Sequence, residues 1–133
     1  MRYGNRKEMK EKYKKLLRLL AVLERSVVLV EGKRDKKALE ELGCRRVITV
    51  SGRVRDVCES LEGEQGRVVI ATDLDRSGNE LARMAREELE AHSLGADSET
   101  RVLLARILKM RYFEDAKRRY DEFIEEVETS KIG

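Results

Sequence analysis

Three short runs rich in β-branched residues set the terms for this chain: SVVLV at 26–30, RVITV at 46–50 and RVVIAT at 67–72. Each is apolar without alternation, so each needs cover on both faces, and each is too short for an ordinary helix. Helical spacing fills the gaps between them. KKALEEL at 36–42 stops at Gly43; Val54, Val57, Cys58 and Leu61 form one apolar stripe; Leu81, Met84, Ala85 and Leu89 form another. Strand and helix in alternation call for right-handed crossovers, which lay the strands parallel and put helices on both sides of them. The expected class is therefore α/β, a Rossmann-like three-layer fold around a mainly parallel sheet of about four strands.

Outside this alternation the pattern is helical. Met9, Tyr13, Leu16, Leu17, Leu20 and Leu23 share one face of a helix that Asn5 can cap. Residues 99–109 read as helix, and Ala116, Tyr120, Phe123, Ile124 and Val127 trace a last one. RYF at 111–113 is the expected fourth strand, at the sheet edge. A chain of 133 residues has room for one sizeable core. A single domain over 1–133 is expected, with a motif-bearing core at 26–92, a basic N-terminal helix at 1–25 and a helical extension at 93–133.

Charged and hydrophobic residues each make up 41% of the chain, and proline is absent. That balance excludes a disordered chain and suits a thermophilic source, where ion-pair networks count for more. Cys44 and Cys58 fit neither a redox pair nor a zinc knuckle and are expected to be reduced packing residues. LLRLLAVL at 16–23 is short and broken by Arg18, so no signal peptide or membrane span is expected, and the protein is expected in the cytoplasm. His92, the single histidine, reads as a surface residue. The net charge of +3 hides a gradient: nine Lys/Arg stand against three Glu through residue 25, and four against seven acids from residue 112 onward. A basic end beside paired acids suits a protein that handles polyanions, because lysines and arginines gather phosphate through counterion release.

In an open parallel sheet, ligands bind outside the carboxyl ends of strands whose connections leave in opposite directions. With the first strand between the second and third, that crevice falls between Glu31 and Asp73, and Asp75 follows close behind. Crowded carboxylates stay ionised most easily around a divalent cation, and all-oxygen ligation selects a hard one, Mg²⁺ first and Mn²⁺ second. The helix after DLDRSG offers free N–H groups, Ser77 as a cap and Gly78 for close approach of an anion. Lys33, Arg34, Arg53 and Arg76 lie in loops at the same edge, suited to phosphate. Asp35 reads as the cap of the short helix behind the first strand, near the same acids.

VVLVEGKRD followed by VVIATDLDRSG resembles the Toprim domain, shared by topoisomerases, bacterial-type primases and small nucleases: a strand-terminal E-G, then a strand-terminal D-x-D-x-x-G. The resemblance implies that Glu31 is a general acid/base or metal-positioning carboxylate and that Asp73 and Asp75 hold Mg²⁺. Gly32 and Asp35 match the E-G-x-x-D start, Gly78 closes the second motif, and Gly52 falls where the family often has a glycine turn. Tyr3, Tyr13, Tyr112 and Tyr120 lie in segments read as helix or chain end, with no second domain to frame a strand-joining tyrosine. Two cysteines and one histidine cannot build the zinc module of a primase.

What remains is similar to the small stand-alone members of the family, ribonucleases among them. That similarity implies Mg²⁺-dependent cleavage or transfer of phosphodiesters in nucleic acid, structured RNA ahead of DNA, with ribosomal or nucleic-acid-processing proteins as further partners. A homodimer through the first and last helices stays open. The alternative reading is a non-catalytic, metal-assisted nucleic-acid-binding or assembly module. A phosphatase with the first aspartate of DLD as nucleophile fits less well, since its motif belongs on the first core strand and here it follows the third.

Overall fold

The computed structural model describes residues 2–130. Helix α1 (Arg6–Arg25) leads into strand β1 (Val27–Val30), followed by α2 (Lys33–Glu41), β2 (Arg46–Thr49), α3 (Val54–Ser60), β3 (Arg67–Ile70), α4 (Arg76–Ala91), β4 (Gly95–Asp97), α5 (Thr100–Leu108), a 3-10 turn (Phe113–Asp115) and α6 (Ala116–Thr129). The sheet has four parallel strands in the order β2-β1-β3-β4. Val28 pairs with Val47 on one side and Val69 on the other, so the first strand is the central one expected.

The unbroken apolar runs are explained by the two layers they face. Val28, Val30, Val69 and Ala71 point to one side, against Leu16 and Leu23 of α1, Leu39 of α2, Leu104 and Leu108 of α5 and Phe123 of α6. Val27, Leu29, Val68 and Ile70 point to the other, against Cys58 of α3 and Ala82, Ala85 and Leu89 of α4. Burying a Val, Leu, Ile, Phe or Met side chain in either layer contributes about 1.5–3 kcal/mol. Cys44 and Cys58 are buried and unbridged, and burial pushes both thiols up to about 11, as packing residues require. Asn5 closes a capping box on α1: its side chain accepts the Glu8 N–H at 2.9 Å, and the Glu8 carboxylate accepts the Asn5 N–H at 3.1 Å. No helix among the described residues is long and apolar enough to cross a membrane.

The fourth strand lies elsewhere than expected. It is Gly95–Asp97, paired with β3 through Val68 and Ala96, in a stretch that reads as loop. Its three residues include no β-branched side chain, and a short edge strand needs none because only one side is paired. RYF at 111–113 is no strand; Tyr112 leads into the 3-10 turn, and that backbone serves the acidic loop described below. Two helical stripes also shift by a position or two: Leu17 is 47% exposed while Leu19 is buried, and Met84 is 40% exposed while Ala82 is buried. Tyr3 is fully buried, its ring edge-on to Phe123 at 5.4 Å and its hydroxyl donating to Glu122 at 3.0 Å, so the chain start is anchored on α6.

Candidate functional site

The site grows from the register of two strands. β1 and β3 lie side by side and parallel, with Leu29 opposite Ile70, so the residues that follow them emerge at the same carboxyl edge. The chain leaves β1 toward β2 and leaves β3 toward β4, which opens a crevice between them. Glu31 stands one residue past β1 and Asp73 three residues past β3. Both acids of the separated motifs therefore reach the same rim.

The loop from Thr72 to Gly78 is held by its own hydrogen bonds. The Thr72 hydroxyl donates to the Gly78 carbonyl at 2.7 Å, and Asp75 caps α4 by accepting the Gly78 N–H at 2.6 Å. Asp75, not Ser77, is thus the cap; Ser77 sits exposed in the first turn. A Cβ added at Gly78 would lie 2.0 Å from the Asp73 carbonyl oxygen, so close backbone packing demands glycine there. The cap of α2 differs from expectation in the same way. Gly32 occupies the cap position, and Asp35, three residues inside, reaches back to accept its N–H at 3.1 Å.

Asp73 is fixed from a distant part of the chain. Its Oδ1 accepts the Phe113 N–H at 2.8 Å, and the neighbouring Leu74 N–H donates to the Arg111 carbonyl at 2.8 Å, so the segment before α6 straps the DLD loop down. Beneath it lies the buried Arg101 guanidinium. It donates to the carbonyls of Thr72 (2.9 Å) and Asp73 (2.6 Å) and to Asn79 Oδ1 (2.8 Å). Sequence reasoning missed Arg101, Phe113, Asn79 and Glu114. Only Arg101 carried a signal, as an arginine set among apolar residues in RVLLARIL.

The electrostatics show which acids share a field. Burial holds the Asp73 carboxyl above its ordinary value; the Phe113 N–H opposes this, Asp75 and Glu114 reinforce it, and Arg101 offsets part. Asp35 is raised to about 6, by burial first, then by the charges of Asp73, Glu114 and Glu31 against the pull of the Gly32 N–H. Burial lowers Arg101, while Asp73 and Asp75 favour its charge.

The basic residues expected at this edge divide into groups. Arg76 and Ser77 join Glu31 and Gly52 around a hollow of about 570 Å³ walled on one side by Leu81 and Met84. Gly52 has a φ of +78°, the left-handed turn that glycine tolerates best. Arg34 pairs with Glu114 at 3.8 Å. Arg53 is turned to Asp56 at 3.4 Å, on an adjoining hollow with Met84. Lys33 opens α2 and is exposed.

Among the described residues no three acidic, histidine or cysteine groups converge tightly enough to ring a cation by themselves. The donor set still suits a hard ion that keeps most of its water: Mg²⁺ is commonly held by one or two carboxylates with the remaining positions left to water and substrate. Asp73 and Asp75 each commit Oδ1 to a backbone N–H, which fixes the carboxylate and leaves Oδ2 without a protein donor among the described residues. Burial first, and then the charges of Asp75 and Glu114, raise Asp73, and a bound cation would offset both.

The family model described as Toprim domain matches residues 26–107, past the motif core to include β4 and most of α5 with Arg101. A UPF0292 protein of Thermococcus onnurineus is 39% identical over 102 residues, covering 74% of this chain and 77% of that protein. Another, from Pyrococcus horikoshii, is 40% identical over 83 residues, covering 62% and 63%. Both relatives come from thermophilic archaea, which accords with the ionic composition. A solved protein from Aquifex aeolicus superposes with a TM-score of 0.66 at 32% identity, covering 75% of this chain and 96% of that one.

Proposed function

Since this chain belongs to the Toprim domain family, whose members generally act on nucleic acids with divalent metals, we propose that it is a Mg²⁺-dependent phosphodiesterase of structured RNA. The observation that supports this reading is that Glu31 and the Asp73/Asp75 loop follow adjacent parallel strands at the same carboxyl edge, with Asp73 held above its ordinary range by burial and by its acidic neighbours Asp75 and Glu114. Asp73 and Asp75 are the residues that would hold the ion, Mn²⁺ serving in its place. The ion supplies positive charge where negative charge builds on a phosphate.

The protein's own groups carry the remaining work. Glu31, exposed at the rim, takes the proton of an attacking water or returns one to the leaving oxygen. Arg76 and Ser77, on the same hollow as Glu31, steady the phosphate oxygens together with the first N–H groups of α4. Lys33, Arg34 and Arg53 serve flanking phosphates once RNA draws Arg34 and Arg53 from their exposed acidic partners. Arg101 is a positioning residue: it touches the loop's carbonyls and sets where the two aspartates point.

The test is direct. Purified protein is expected to cleave structured RNA with Mg²⁺, to stop in EDTA and to be inert as Asp73→Asn. Salt-sensitive RNA binding with no turnover across RNA and DNA substrates would instead support a binding or assembly module, which the unpaired basic face of α1 favours.

A further inference from the structure

The surface of this protein is laced with ion pairs, and among the described residues the cations of α1 stay outside them. On α4, Arg83 pairs with Glu80 and Glu87, and Arg86 pairs with Glu90. On α6, Lys117 pairs with Asp121, and Arg118 with Asp115 and Glu122. Among the described residues, the Lys and Arg side chains of α1 form no ion pair, although Glu8, Glu11 and Glu24 lie on the same helix. Glu8 is used in the capping box and Glu24 answers Arg45.

The unpaired cations are ordered. At 100° per residue, Lys7, Lys10, Lys14, Arg18 and Arg25 fall on one exposed stripe opposite the buried face of Met9, Leu16 and Leu23. The stripe runs about 27 Å along the helix axis. Like charges at this spacing destabilise a helix by a few tenths of a kcal/mol per pair. α4 pairs Arg83 and Arg86 and α6 pairs Lys117, Arg118 and Arg119, whereas α1 keeps this longer row bare and carries its cost.

The stripe does not end with the helix. Ser26 alone separates α1 from β1, so Arg25 stands where the strands begin, at the amino edge of the sheet. There it lines a hollow of about 790 Å³ with Arg45, Arg46, Arg67, Ser26 and Gln65. Glu24 and Glu64 answer Arg45 and Arg46, Asp97 is spent on the first N–H groups of α5, and the exposed Glu99 lines the hollow without an ion-pair partner among the described residues. Arg25 and Arg67 have no ion-pair partner among the described residues.

We propose that the exposed stripe of α1, continued by Arg25 and Arg67 at this hollow, forms one track for the phosphate backbone of a folded RNA, outside the acidic crevice and indifferent to base sequence. The choice of RNA rests on the function proposed above. The track itself follows from charge, spacing and continuity. Regularly placed lysines and arginines with no protein partner are what counterion release requires, and the hollow turns the path at the helix end.

The experiment measures binding of a fluorescent RNA hairpin by anisotropy across a salt series in EDTA. Three proteins are compared: wild type, Lys10→Ala/Lys14→Ala, and Arg83→Ala/Arg86→Ala, which removes the same charge from paired positions. Alanine favours helix, so neither double variant is expected to unfold. The log Kd against log salt slope is expected to fall by about 0.9 for each phosphate left without its cation, close to 2 for the α1 pair, and to stay near wild type for the α4 pair. Arg25→Ala/Arg67→Ala is expected to match the α1 pair. Equal slopes for all variants, no RNA binding by wild type, or retained RNA binding with α1-dependent capture by phosphatidylglycerol vesicles would each overturn the track. Binding needs no turnover here, so a protein that grips RNA through α1 but never cuts it would sink the phosphodiesterase reading and leave the track standing.

Discussion

At the carboxyl edge of the sheet, Asp73 and Asp75 are half-buried and each is fixed by a backbone N–H, with the buried Arg101 fastened to the loop beneath them. At the amino edge, Arg25 and Arg67 are exposed on long side chains and have no ion-pair partner among the described residues. The same sheet thus ends in fixed aspartates at one edge and in arginines free of ion pairs at the other. Chemistry at a phosphate needs groups held to a fraction of an ångström, which backbone hydrogen bonds and a buried guanidinium provide. Gripping a flexible polyanion needs charge in the right region, and long mobile side chains supply it without being ordered beforehand.

The largest effects are expected at the stiff edge. Asp73→Asn keeps the acceptor for the Phe113 N–H and removes the charge, so the fold should survive while RNA cleavage falls below detection in a gel assay. Glu31→Gln should lower kcat by about 10²–10⁴, the usual range for losing an acid or base, with RNA binding in EDTA unchanged. Comparable loss at Arg25 as at Glu31 would erase the distinction between the edges.

Next comes Arg101→Met. It strips three acceptors of their donor inside the protein, at the Thr72 and Asp73 carbonyls and Asn79. A destabilisation of about 3–5 kcal/mol is expected, read as a fall in melting temperature by calorimetry. A melting temperature within a degree or two of wild type would show that the stiff edge does not depend on this residue.

Asp35 sharpens the contrast through pH. Its folded value of about 6 exceeds the ordinary 3.8, so the folded protein binds the proton more tightly. The stabilisation is complete below the ordinary value and is lost as pH rises toward 6 and beyond. Asp35→Asn keeps an acceptor for Gly32 and removes the charge. In EDTA it should be more stable than wild type at pH 8 by about 1–2 kcal/mol, discounted for a half-buried group, and equal to it at pH 3. A variant less stable at pH 8 would mean that the acids do not repel one another as described. The smallest effect is expected at the soft edge, where Arg46→Ala breaks an exposed pair with Glu64 and should change stability by less than about 1 kcal/mol.

Much of the sheet was legible because its signal is local. Unbroken β-branched runs and the helical stripes between them follow from neighbouring residues, and the usual doubly wound order then puts the ends of β1 and β3 at one edge, as the sheet has them. What escaped depends on pairing between distant segments. β4 gains its strand form from pairing with β3, and GAD has no propensity to announce it. Phe113 meets Asp73 through a backbone N–H, which leaves no trace in side-chain type, so RYF could be taken for a strand. Caps misled for a smaller reason: Asp35 and Asp75 each bond three residues away along the chain, a geometry that allows the acid to stand at either end of the bond.

Whether the carboxyl edge binds a divalent ion through its aspartates decides the rest. Calorimetric titration of the RNA-free protein with Mn²⁺, with Mg²⁺ competing, measures this without reference to turnover. Saturable binding by wild type that disappears in Asp73→Asn and Asp75→Asn, both folded by circular dichroism, is the predicted result. Wild-type protein that takes up no ion, or variants that bind it as wild type does, would contradict it.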